Sequence, residues 1–147
     1  MFNLIAGIYL EDSSALLRWG CSRKEALGVG HPSDIDNPRI KWHDKILDGQ
    51  SCDLVVDLAD DAVFGEARAL FDTSHITAPD PNELFLYHSL SKYLTEKIGK
   101  RPFGGFTPKL GVAPTLSWEH DGCVLKLSAI DNPWGRVGMA DLLISKR

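Results

Sequence analysis

Cysteine is scarce in this chain, and what there is does not form a framework. Cys21, Cys52 and Cys123 are odd in number, lie far apart and show no C-x-x-C spacing, which argues against a disulfide scaffold and for a reducing, cytoplasmic compartment. Long apolar runs are missing as well: none approaches the ~18 residues that read as a membrane-spanning helix. The apolar opening Phe2–Leu10 has no basic flank and meets Glu11-Asp12 at once, so it reads as a buried strand or helix rather than a secretory signal. Nor is there an excess of positive charge. Sixteen Lys/Arg stand against twenty Asp/Glu, a net charge of −4, which excludes a strongly basic nucleic-acid binder.

The frames of common chemistry are absent too. There is no G-x-S-x-G nucleophile turn, no G-x-x-x-x-G-K-[ST] or G-x-G-x-x-G phosphate loop and no H-E-x-x-H. The five histidines, His31, His43, His75, His88 and His120, include no i, i+4 pair, so no metal is expected. His88 is expected to be a hydrogen-bonded core residue on the long helix described below. Cys21 is the best nucleophile candidate, because it directly precedes a helix cap where the helix dipole would lower a thiol pKa. No cofactor is implied.

What remains is an ordinary globular composition: 147 residues, 44% hydrophobic and 24% charged, with 13 Gly and 8 Pro. A chain of this length buries roughly 70% of its unfolded surface and needs no staple. It is expected to form a single domain, 1–147, with two lobes of about 1–74 and 75–147 as an allowed subdivision.

Local signals outline the elements. Ser22-Arg23-Lys24-Glu25 fits a capping box and predicts a short N-terminal helix over about 23–28. Prolines and self-capping side chains make 30–38 a loop. Alternation predicts strands near 40–47 and 52–58 around Asp48-Gly49, a third at 64–71, and a closing set at 115–120, 123–130 and 136–145. The Asp121-Gly122 and Asn132-Pro133-Trp134-Gly135 turns join that set. Leu84, Tyr87, Leu90, Leu94 and Ile98 recur at helical spacing, with Gly99 at the C′ position, and predict one long helix over about 82–98. The expected class is α+β: antiparallel sheet or sheets with this long helix and the short N-terminal one. Phe103-Gly104-Gly105-Phe106 reads as an aromatic-flanked connecting loop able to touch a partner.

Charge is distributed unevenly. Residues 1–74 carry a net −6 and residues 75–147 a net +2, and ten Asp/Glu crowd between Asp34 and Asp72 against four Lys/Arg. Such a segment would attract a basic partner and speed association. Asp57, Asp60, Asp61 and Glu66 are the candidate partner-binding residues, in the role of steering and pairing with Lys/Arg.

Two stretches resemble a known class. Trp19-Gly20-Cys21-Ser22-Arg23-Lys24-Glu25 is similar to the opening of many small bacterial α+β proteins. Tyr87, Leu90 and Leu94, then Gly99 and Pro102, then Ser117-Trp118-Glu119-His120 and Val124-Leu125-Lys126-Leu127 resemble their ending. Proteins of this pattern include immunity proteins of contact-dependent inhibition and other polymorphic-toxin systems. The resemblance implies a cytoplasmic, non-enzymatic protein that binds and neutralises a cognate toxin domain, such as a basic nuclease; it carries over no functional residue. Two rivals stand beside it. One is an enzyme with a site assembled from Cys21, His31, His43 and Asp57. The other is a small-molecule module between helix and sheet, lined by Tyr87, Phe106 and Trp118.

Overall fold

The computed structural model describes residues 2–71, 85–104, 115–130 and 139–147. His75, Phe106, the 132–135 turn, the helix start at 82–84 and the strand start at 136–138 lie outside them.

The chain opens with a hairpin, β1 (Gly7–Leu10) and β2 (Ala15–Arg18). The short helix α1 (Arg23–Leu27) follows, and its capping box is complete: the Ser22 hydroxyl accepts from the Glu25 amide, and Glu25 accepts from the Ser22 amide. The strands β3 (Asp34–Ile35), β4 (Arg39–Ile46), β5 (Gln50–Asp57) and β6 (Glu66–Phe71) come next. Then come α2 (Phe85–Ile98), β7 (Phe103–Gly104), β8 (Leu116–His120), β9 (Cys123–Ile130) and β10 (Met139–Lys146).

Eight of these strands form one antiparallel sheet in the order β3-β4-β5-β6-β10-β9-β8-β7. β10 lies between β6 and β9, pairing Leu142 with Ala69 on one side and Leu127 on the other, so the two chain halves share a continuous sheet. Period-two alternation sorts the side chains. On β4, Ile40, Trp42, Asp44 and Ile46 are buried, while Arg39, His43 and Lys45 are exposed. The inward positions of β5, β6, β10, β9 and β8 continue that apolar layer through Leu54, Ala69, Leu142, Leu125 and Trp118. Leu86, Leu90 and Leu94 of α2 and Ile8, Leu10 and Leu17 of the hairpin join the same cluster.

The expected α+β architecture organised around a long helix is therefore corrected. Among the described residues there are ten strands and two short helices, of 5 and 14 residues, and the class is mostly antiparallel β. The helical apolar stripe is real but narrow. Leu86, Tyr87, Leu90 and Leu94 of α2 belong to the core, with Tyr93 and Ile98 packed against it, whereas the strands of the eight-stranded sheet supply most of its members. The N-terminal segment, open between strand and helix on its sequence, forms β1. There Gly7 has φ +155°, and a Cβ would lie 2.0 Å from the Leu17 carbonyl oxygen, an approach only glycine permits.

Tight turns follow their residue types. Asp121 and Gly122, at φ 55° and 73°, join β8 to β9 in the two-residue hairpin their sequence favours. Leu47, Asp48 and Gly49, all at positive φ, join β4 to β5. Tyr93 of α2 donates to the Leu47 carbonyl and Lys97 lies 3.5 Å from Asp48, which fastens the helix to that turn.

Candidate functional site

The face of the sheet opposite the apolar layer carries the charges. Arg39, Lys41, His43 and Lys45 of β4 stand beside Ser51, Asp53, Val55 and Asp57 of β5 in register. Glu66, Arg68 and Leu70 of β6 and Asp141, Leu143 and Ser145 of β10 extend the same face.

Where the β5–β6 ladder ends at Val55 and Arg68, a polar cleft of about 460 Å³ opens. Val55, Ala67 and Leu143 line it together with Arg39, Asp57, Glu66 and Arg68. Asp57 and Glu66, two of the four residues expected to bind a partner, thus meet in one place. Asp57 lies 3.5 Å from the Arg39 guanidinium, and Glu66 accepts a hydrogen bond from the Ser145 hydroxyl at 3.4 Å. Arg68 is held from behind by Asp141 at 2.9 Å. Asp141 is only 9% exposed and its Oδ1 has no partner; burial pushes its carboxyl above the usual range, against the opposing pull of Arg68.

Asp60 and Asp61 do not line this cleft. They stand in the turn after β5, where Asp60 lies 3.7 Å from Arg23. Arg23 is buried and donates to the carbonyls of Pro38, Leu58 and Asp36, so it ties α1 to the loop and the end of β5. Sequence reasoning missed that role, which no local pattern announces.

The acidic segment is also less bare than its count suggests. Cross-strand neighbours supply cations to its carboxylates, Arg39 to Asp57 and Lys41 to Asp53, and the His43 ring lies 2.8 Å from Asp53; the segment's own Arg68 is engaged by Asp141. Among the described residues Glu66 has no ion-pair partner, although it lies in the same cleft as Arg39 and Arg68.

The enzyme constellation does not assemble. Cys21 is buried, and its thiol is pushed up, first by burial and then by Glu25, opposite to the lowering expected from the helix cap. Five residues of helix supply too little dipole to overcome that. His43 sits on the outward face, 2.8 Å from Asp53, and His31 is exposed in the loop before β3. His88, expected in the core, is exposed on α2. No group of three His, Cys, Asp or Glu among the described residues is placed to hold a metal. Tyr87 and Trp118 are buried in the core layer, and Phe106, the third residue of the small-molecule alternative, lies outside the described residues.

No family model matches the chain, and comparison with curated proteins and with solved structures finds no match either. Fold and cleft define a predominantly antiparallel β protein with a charged, solvent-facing sheet surface. No helix among the described residues is long and apolar enough to cross a membrane.

Proposed function

We propose that this is a non-enzymatic, cytoplasmic immunity-type protein that binds and neutralises a cognate bacterial toxin domain, such as a basic nuclease. The observation that carries the reading is the convergence of Asp57 and Glu66 in the open cleft on the outward sheet face. They flank it where the ladder ends: Asp57 is paired with Arg39, while Glu66 has no ion-pair partner among the described residues. Glu66 is therefore the carboxylate of the cleft open to an arriving Lys or Arg, and the contact favours a basic partner. Asp60 and Asp61, in the exposed turn beyond β5, contribute to long-range steering.

The test is to mix the purified protein with the toxin domain encoded directly upstream of its gene. A stable complex on size exclusion and protection of cells expressing the toxin are expected. Reversing both charges, Asp57→Lys with Glu66→Lys, should slow association by about tenfold and flatten its dependence on salt. Absence of a complex and of protection sinks the function. Unchanged association kinetics in the charge-reversed protein removes these two residues from the interface.

A further inference from the structure

A second cleft, about 290 Å³, lies at the opposite side of the sheet, where β8 runs beside the segment that follows α2. Its lining is Lys100, Arg101, Phe103, Ser117, Trp118 and Glu119. Among the described residues, β7 covers the outer edge of β8 at Phe103, opposite Ser117, and Gly104, opposite Leu116. Continuing that register would set Pro102 against Trp118, and proline has no N–H to give a ladder. Pairing stops there, and from Trp118 to His120 the outer edge of β8 has no strand partner among the described residues. An open edge is a template for another extended chain.

The charges at this cleft are unbalanced. Glu119 is taken by Arg147 at 2.8 Å. Lys100 and Arg101 are exposed, and among the described residues neither has an ion-pair partner. Their place just past the end of α2 suits the helix dipole, but that is a diffuse half-charge and leaves two cations facing solvent. Phe103 beside them is 88% exposed, the largest exposure of any big apolar residue described. Trp118 is buried with an indole N–H that finds no acceptor.

From these features together we infer that the β8 edge is a docking site for the end of an extended peptide, which adds alongside Trp118–His120 and places its terminal carboxylate on Lys100 and Arg101. The backbone edge supplies hydrogen bonds, the two cations supply charge-assisted ones, and Phe103 covers the last apolar side chain. The volume is at the small end of the ~300–1,000 Å³ typical of ligand pockets, which fits a chain end rather than a folded element. The open edge selects a peptide over a free phosphate, which could use the cations alone. This site is separate from the Asp57 and Glu66 cleft and does not depend on the function proposed for it.

The experiment titrates the ¹⁵N-labelled full chain with an acetylated threonine-threonine-valine tripeptide bearing a free carboxylate, with its C-terminal amide, and with inorganic phosphate. The acid should shift the amides of Phe103 and of 117–120 and bind at least about tenfold more tightly than the amide, the worth of one charge-assisted contact. The double variant Lys100→Ala with Arg101→Ala should lose about tenfold in affinity for the acid while its unfolding midpoint stays unchanged. Equal binding of acid and amide, no shift along β8, or phosphate displacing the peptide's β8 shifts without a carboxylate preference would each overturn the proposal.

Discussion

Two buried aspartates show how differently a carboxylate can be accommodated. Asp44 lies on the inward side of β4, 3% exposed, yet its oxygens accept from the Asp12 amide at 2.8 Å, the Lys45 amide at 2.7 Å and the Ser13 hydroxyl at 2.6 Å. It pins the β1–β2 turn to β4. Asp44→Ala leaves those donors unanswered and should cost about 3 kcal/mol in urea denaturation. Asp141 is the opposite case, with one oxygen on Arg68 and the other on nothing. Its raised pKa means that the folded state holds the proton more tightly than the unfolded chain. Ionisation therefore costs stability, and the cost sets in as pH rises above the unfolded value and is complete above the folded one. Asp141→Asn should be more stable than the parent at pH 7. That advantage should vanish below the unfolded carboxyl pKa, near pH 3, in paired thermal melts. A gap that is the same at both pH values would contradict the assignment. Asp44 was legible in principle, since it shares parity with Ile40, Trp42 and Ile46; a carboxylate on an apolar face announces a buried partner network. Asp141 was not, because its neighbours in sequence give no sign that the outward position is covered.

Among the elements, those set by short-range chemistry were readable. The capping box of α1, the Asp121-Gly122 hairpin and the alternation in β4, β5 and β9 each depend on residues within a few positions of one another. What could not be read was their relative weight. Period-3.6 spacing made α2 look like the organising element, but a helix buries one stripe, while a strand paired on both sides buries an entire row and satisfies its backbone with two neighbours. The β1–β2 hairpin was equally hidden. Its determinant is the approach of Gly7 to Leu17, a contact between strands and not a pattern within one. Gly7→Ala should therefore separate this hairpin from itself before anything else. About 3 kcal/mol or more of stability should be lost, and hydrogen exchange should accelerate at β1 and β2 ahead of the central strands. Retained protection in the hairpin would show that the backbone can relax away from the clash.

For the whole molecule, β10 is the decisive strand. It is the last of the described strands in chain order, yet it lies at the middle of the sheet and pairs the end of the first half of the chain with β9 of the second. Neither half can complete its sheet alone: without β10, β6 and β9 each present a bare edge. Chain length allowed a subdivision into two lobes, but the register across Ala69, Leu142 and Leu127 makes one apolar layer of both. Trp42 in β4 and Trp118 in β8, the buried tryptophans among the described residues, report on the separate halves. With 5-fluorotryptophan incorporated, their ¹⁹F signals should disappear at the same denaturant concentration, as a single cooperative unit requires. Leu142→Ala, at a fully buried position of β10, should lower stability by about 3 kcal/mol and move both signals together. If the Trp42 signal held while that of Trp118 was lost, the sheet would be continuous in hydrogen bonding but divided in cooperativity, and the two lobes would be real thermodynamic units.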